Sequence, residues 1–91
     1  MKALVELIVR ELVDQPERVL VIEENDDRGL VLQVQLPAEE MGKVIGKGGR
    51  TVNALRAVVK AAGTRRDRNV WVEINRLPGE EEEEEDAESD R

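Results

Sequence analysis

The sequence predicts an α+β fold: a three-stranded sheet packed on helices in the order α-β-β-α-α-β, followed by a disordered acidic C-terminal tail. Three observations carry that expectation. Apolar residues recur at helical spacing near the N-terminus, they alternate in two later segments, and a cluster of glycines interrupts an otherwise helical stretch.

Lys2 to Asp14 reads as an amphipathic helix. Leu4, Ile8 and Leu12 recur at four-residue spacing with Val5, Val9 and Val13 beside them, while Lys2, Glu6, Arg10 and Asp14 form a polar stripe. Pro16 ends it, because the residue before a proline is pushed out of the helical region. Glu17 to Glu24 contains Val19-Leu20-Val21-Ile22, a run suited to a strand. Asn25 to Gly29 has the composition of a turn. In Leu30 to Leu36 the residues Leu30, Leu32, Val34 and Leu36 share one face and Gln33 and Gln35 the other, so the two strands form an antiparallel hairpin.

Pro37 suits the first position of a second, short helix, with Glu39 and Glu40 at the positive end of its dipole. A third helix runs from about Arg50 to Ala62. Its buried stripe is Val52, Leu55, Val59 and Ala62, with Val58 alongside and Gly63 as its C-terminal cap. Thr64 to Arg68 is a basic loop. Val70, Val72 and Ile74 then alternate with Trp71, Glu73 and Asn75 in a third strand. Parity places Trp71, the single aromatic residue, on the sheet face away from the helices, where half-exposed packing, a dimer contact and base stacking are all open.

The 91 residues leave room for one domain, 1–78, and a tail, 79–91. There is no Cys and no His, which removes disulfides, thiolate metal sites and the commonest general base and zinc ligand. An enzyme is therefore the least supported class, and no catalytic residue, metal site or cofactor is expected. Glu6, Arg10 and Glu11 break the N-terminal apolar pattern, so it has neither the unbroken apolar core of a signal peptide nor the length of a membrane span. The expectation is a cytoplasmic protein with no membrane partner.

The formal charge of −7 conceals a division. Residues 80–91 hold nine acids and one base, a net of −8, while residues 1–79 carry a net of +1. Within the latter, Lys43 to Arg68 holds eight bases and a single acid, Asp67. Such asymmetry points to a nucleic-acid or other anionic partner. The tail has two readings, a solubility segment or an electrostatic cover for the Lys43–Arg68 patch.

The chemistry concentrates in Met41-Gly42-Lys43-Val44-Ile45-Gly46-Lys47-Gly48-Gly49-Arg50. Missing Cβ atoms at Gly46, Gly48 and Gly49 permit close backbone approach, and the free N–H groups at the start of the third helix favour an anion there. Lys43, Lys47 and Arg50 add positive charge, and Asn53, Arg56 and Lys60 extend it along the helix. Other phosphate motifs fail on spacing. Only three residues separate Gly42 from Gly46-Lys47, and Gly48 stands where a P-loop needs a hydroxyl. A dinucleotide fingerprint needs a preceding strand and a third glycine where Thr51 stands.

Val44-Ile45-Gly46-Lys47-Gly48-Gly49 between two helices, in this element order, resembles the type II KH domain, over about Met1 to Arg76. In size the chain is similar to stand-alone bacterial KH proteins. The resemblance implies a single-stranded RNA-binding protein, an RNA chaperone or post-transcriptional regulator, whose GxxG loop clamps about four nucleotides. Carried onto this sequence, Gly46, Lys47, Gly48 and Gly49 form the clamp. Ile45 floors an apolar groove, with Val44 and Val52 where they are not wholly core, and Lys43, Arg50 and Arg56 contact phosphates. It also implies a homodimer, or a heterodimer with a second KH-containing protein. An assembly module whose partner handles the RNA is the alternative, and single-stranded DNA in place of RNA stays open.

Overall fold

The computed structural model describes residues 1–79, so all but the first residue of the expected tail lies outside the described residues. Helix α1 spans Lys2–Leu12, strands β1 and β2 span Leu20–Asp26 and Gly29–Leu36, helices α2 and α3 span Met41–Ile45 and Arg50–Arg65, and strand β3 spans Val70–Arg76. Single 3-10 turns occupy Pro16–Arg18, Ala38–Glu40 and Lys47–Gly49. The α+β class and the α-β-β-α-α-β order are those expected.

The sheet order is β1-β2-β3. Strands β1 and β2 form the antiparallel hairpin, with Val21 opposite Val34, and β2 pairs with β3 in parallel, with Leu32 opposite Val72. A parallel neighbour needs a long return connection, and α2 and α3 supply it. The helices cover one face of the sheet. Val5 and Val9 of α1, Val44 of α2, and Leu55 and Val59 of α3 join Val21, Leu32, Val34, Leu36 and Val72 in one core. Fully burying such a side chain contributes about 1.5–3 kcal/mol relative to leaving it exposed.

Several boundaries differ from the sequence reading, each for a local reason. Helix α1 stops at Leu12 because Val13 is extended, at φ −105° and ψ 165°, and turns into the core. Val5 and Val9 centre its buried stripe, while Leu4, Ile8 and Leu12 lie at its margin. Strand β1 begins only at Leu20, after the turn at Pro16–Arg18, and continues through Asn25 and Asp26. The hairpin turn is thus the pair Asp27-Arg28, braced by the Arg28 N–H donating to Asp26 Oδ1 at 2.8 Å. Helix α3 passes through Gly63 to Arg65. Gly63 is there for close packing, since a Cβ on it would stand 2.8 Å from the Arg68 carbonyl oxygen and from Val70 Cγ2. Val58 faces solvent instead of flanking the stripe.

Pro37 precedes the 3-10 turn in an extended conformation, and the α-helix starts four residues later, at Met41. Glu40 is not a dipole partner on the surface. It is 1% exposed, and its carboxylate accepts the N–H groups of Asp14 and Gln15 at 3.0 and 2.7 Å. Lys43 Nζ lies 3.4 Å from Glu40 Oε1 and 3.4 Å from Asp14 Oδ2. Burial by itself would push the Glu40 carboxyl up, but the two N–H groups and the Lys43 ammonium outweigh it and hold the group below its ordinary value.

A carboxyl that titrates lower in the folded chain contributes stability that is complete above its unfolded value and is lost as pH falls through the folded one. Glu40→Gln is therefore expected to lower the melting temperature by several degrees at neutral pH. The gap from wild type should narrow as pH falls below about 4.3. Thermal denaturation followed by circular dichroism across that range checks both statements.

Candidate nucleic-acid interface

Residues 46–49 join α2 to α3 in one tight turn. The Gly46 N–H donates to the Gly42 carbonyl at 2.9 Å, ending α2, and the Gly49 N–H donates back to the Gly46 carbonyl at 3.1 Å. Gly46, Gly48 and Gly49 all have positive φ, at 78°, 64° and 82°. Their surroundings differ. A Cβ on Gly46 would stand 2.7 Å from Thr51 Cβ and 2.9 Å from the Thr51 nitrogen, so the first turn of α3 already fills that space. At Gly48 nothing lies within 4 Å, and at Gly49 only Asn53 Nδ2 does, at 3.7 Å. Gly46 therefore sets the junction of two helices, while Gly48 and Gly49 leave backbone uncovered for a ligand.

That open backbone leads into the N-terminus of the 16-residue helix α3. Free N–H groups and the positive end of the dipole coincide there, an arrangement suited to a phosphate. Lys47 and Arg50 are exposed beside it and form no ion pair among the described residues. Asn53, one turn along α3, is exposed on the same side.

The remaining expected residues are placed differently. Lys43 is held by Glu40 and Asp14, which raise its pKa in that order of effect, so it is an anchored charge and not a mobile one. Arg56 Nε donates to the Val72 carbonyl at 3.1 Å, which ties the helix to β3. Val44 and Val52 belong to the interior, at 0% and 6% exposure, and neither floors a groove. Ile45 is half-buried and does line one, together with Ala38, Met41 and Arg76. This groove holds about 220 Å³, below the roughly 300–1,000 Å³ of small-molecule sites. Sequence reasoning missed Met41 and Arg76. Strand parity carried the signal for Arg76, which shares a face with Val70, Val72 and Ile74 and so points toward the helices.

Among the described residues, no helix is long and apolar enough to cross a membrane. The family model described as "KhpA/KhpB, KH domain" matches residues 2–74. The chain is 49% identical over 74 residues to the RNA-binding protein KhpA of Clostridium perfringens, covering 81% of this chain and 99% of that protein. It is 49% identical to KhpA of Halalkalibacterium halodurans and 40% identical to KhpA of Listeria monocytogenes, each over 81% of this chain and 97% of the relative. No solved structure matches at a significant level.

The contrast between the glycines is measurable. Gly46→Ala combines a backbone conformation costing about 1–3 kcal/mol for other residues with a collision against Thr51. Gly48→Ala meets only the left-handed penalty of about 1–2 kcal/mol. Urea denaturation should rank Gly46→Ala as the less stable of the two; equal midpoints would show that Thr51 yields freely.

Proposed function

The chain belongs to the KhpA/KhpB family of KH domains, and we propose that it binds single-stranded RNA by clamping the sugar–phosphate backbone in the Gly46–Gly49 loop. The observation that carries this reading is the uncovered backbone of Gly48 and Gly49 at the start of α3, with Lys47 and Arg50 unpaired beside it. Phosphates sit against the helix N–H groups, and the two cations neutralise them. The groove at Ile45, Met41, Ala38 and Arg76 then receives a base edge next to the clamped backbone. The family is not an enzyme family.

Backbone contacts position a strand without reading its sequence. One clamp and one small groove therefore fit an RNA chaperone or post-transcriptional regulator that acts on many cytoplasmic transcripts. Binding should weaken steeply with salt.

A second reading, assembly through the sheet, rests on a separate surface. On the face away from the helices Leu20 and Trp71 are 48% and 46% exposed, and Ile22 on the same face is half-buried. The Trp71 indole N–H donates to the Arg28 carbonyl at 3.0 Å, which fixes the ring in place. A homodimer, or a heterodimer with a second KH-containing protein, would cover this face and leave the clamp on the other side of the sheet free.

Two measurements test these readings. Lys47→Asp/Gly48→Asp should keep its circular dichroism spectrum and lose at least about tenfold in affinity for single-stranded RNA at low salt. Wild-type affinity in that variant would rule out the clamp. In sedimentation, Trp71→Ala should shift a dimer toward monomer without changing RNA affinity per chain; an unchanged sedimentation coefficient would remove the sheet face from assembly.

A further inference from the structure

Three cations outside α3 and its flanking loops are answered by the chain's own acids. Arg10 pairs with Glu6, Arg28 with Asp26 and Glu73, and Lys43 with Glu40 and Asp14. A different arrangement holds at the far end of α3. Lys60, Arg65, Arg66 and Arg68 are exposed, and none forms an ion pair among the described residues. The one acid near them in sequence, Asp67, leaves a clear positive excess.

The loop that carries these arginines is built, not loose. The N–H groups of Arg66 and Arg68 both donate to the Gly63 carbonyl, at 2.9 and 2.8 Å, and the Asp67 N–H donates to the Thr64 carbonyl at 3.0 Å. Asp67 is the only non-glycine with positive φ among the described residues, at 63°. Thr64, Asp67, Arg68 and Asn69 together line an open depression of about 240 Å³. A helix C-terminus favours cations for its own sake, which accounts for Arg65 in the last turn. It does not account for two more arginines beyond the helix.

A route connects this end to the clamp. Arg50, Asn53, Ala57, Lys60 and Thr64 recur at alternating spacings of three and four, which places them in one stripe along α3. Arg50, Asn53, Ala57, Lys60 and Thr64 are all polar or small, and the helix contains no acid. At 1.5 Å per residue its 16 residues span about 24 Å.

We infer that Arg65, Arg66 and Arg68 form a second phosphate-binding patch, and that an RNA strand gripped at Gly46–Gly49 continues along the Arg50–Thr64 stripe to reach it. The inference rests on the RNA-binding reading above and extends it, from a clamp for about four nucleotides to a longer footprint.

The test compares two unstructured oligouridylates, of about four and about twelve nucleotides, titrated against three full-length chains: wild type, Arg65→Ala/Arg66→Ala/Arg68→Ala, and Lys47→Asp/Gly48→Asp. The arginine side chains are exposed, so the triple variant should keep its fold, checked by circular dichroism. Its affinity for the longer strand should fall about tenfold, and its salt slope should shrink by about two, as expected for three lost contacts. Its affinity for the shorter strand should stay within about twofold of wild type. Equal losses at both lengths overturn the inference, because a general field acts on every anion. No loss for the longer strand also overturns it, and a gain would mean that the patch holds the acidic residues 80–91 instead. The clamp variant keeps the two ideas separate: loss of both strands there upholds the clamp whatever the triple variant does.

Discussion

The interface depends on one close approach, the backbone of Gly46 against Thr51. Because no side chain fits between them, α2 ends directly on the first turn of α3, and the two helices meet within four residues. Gly48 and Gly49 are then left at the outside of the junction, with nothing over the first and only the Asn53 amide near the second. A five-residue helix such as α2 has no stability of its own. It persists because Val44 is fully buried in the core and because the junction pins its end. The geometry of the loop is thus inherited from packing, and a ligand meets a surface that is already formed.

Glu40 supplies the complementary restraint at the other end of α2. Its carboxylate gathers the N–H groups of Asp14 and Gln15, where α1 has ended and the chain turns toward the sheet. A domain of this size has a thin core and no disulfide to reinforce it. A buried charge is costly alone, yet this one is met by two N–H groups and by Lys43, so its solvation is replaced and not merely lost. The same contact determines what Lys43 does. Held between two carboxylates, it serves the joint between α1 and α2 and presents little net charge to a phosphate.

The element order, the sheet parity and the glycine loop were legible because each rests on local chemistry. Alternation in Leu30–Leu36 and Val70–Ile74 names the buried face without reference to anything distant, and Trp71 falls where parity puts it. The turn and helix boundaries were less legible, because long-range contacts decide them. Nothing local in Asp14 or Gln15 announces that their N–H groups will meet a glutamate 25 or 26 positions later. Gly63 reads as a cap by its type, but it is needed for the approach of Arg68 and Val70. Lys43 was chosen for the interface by its charge and Arg56 by its place on the exposed side of the third helix, whereas the placement of both side chains depends on acceptors at Glu40 and Val72 that composition cannot locate.

Net charge misleads for the same reason. The chain as a whole is acidic, and even its first 79 residues are nearly neutral. Ion pairing sorts those charges in space. Acids in α1, the hairpin and the turn before α2 take up the cations near them, and the arginine that faces Asp26 holds that carboxyl below its ordinary value. Lys47 and Arg50 at one end of α3, and Arg65, Arg66 and Arg68 at the other, form no ion pair among the described residues. The field that a polyanion meets is set by these unanswered cations on and at the two ends of one helix, and it falls off within about 8–10 Å at ordinary salt. The acidic turn of the hairpin therefore bears on the far end of α3, where the Leu30 N–H donates to the Asn69 carbonyl beside Arg68 at 2.9 Å, more than on the glycine loop. A surface can therefore attract RNA on a chain whose isoelectric point, about 4.7, would suggest repulsion.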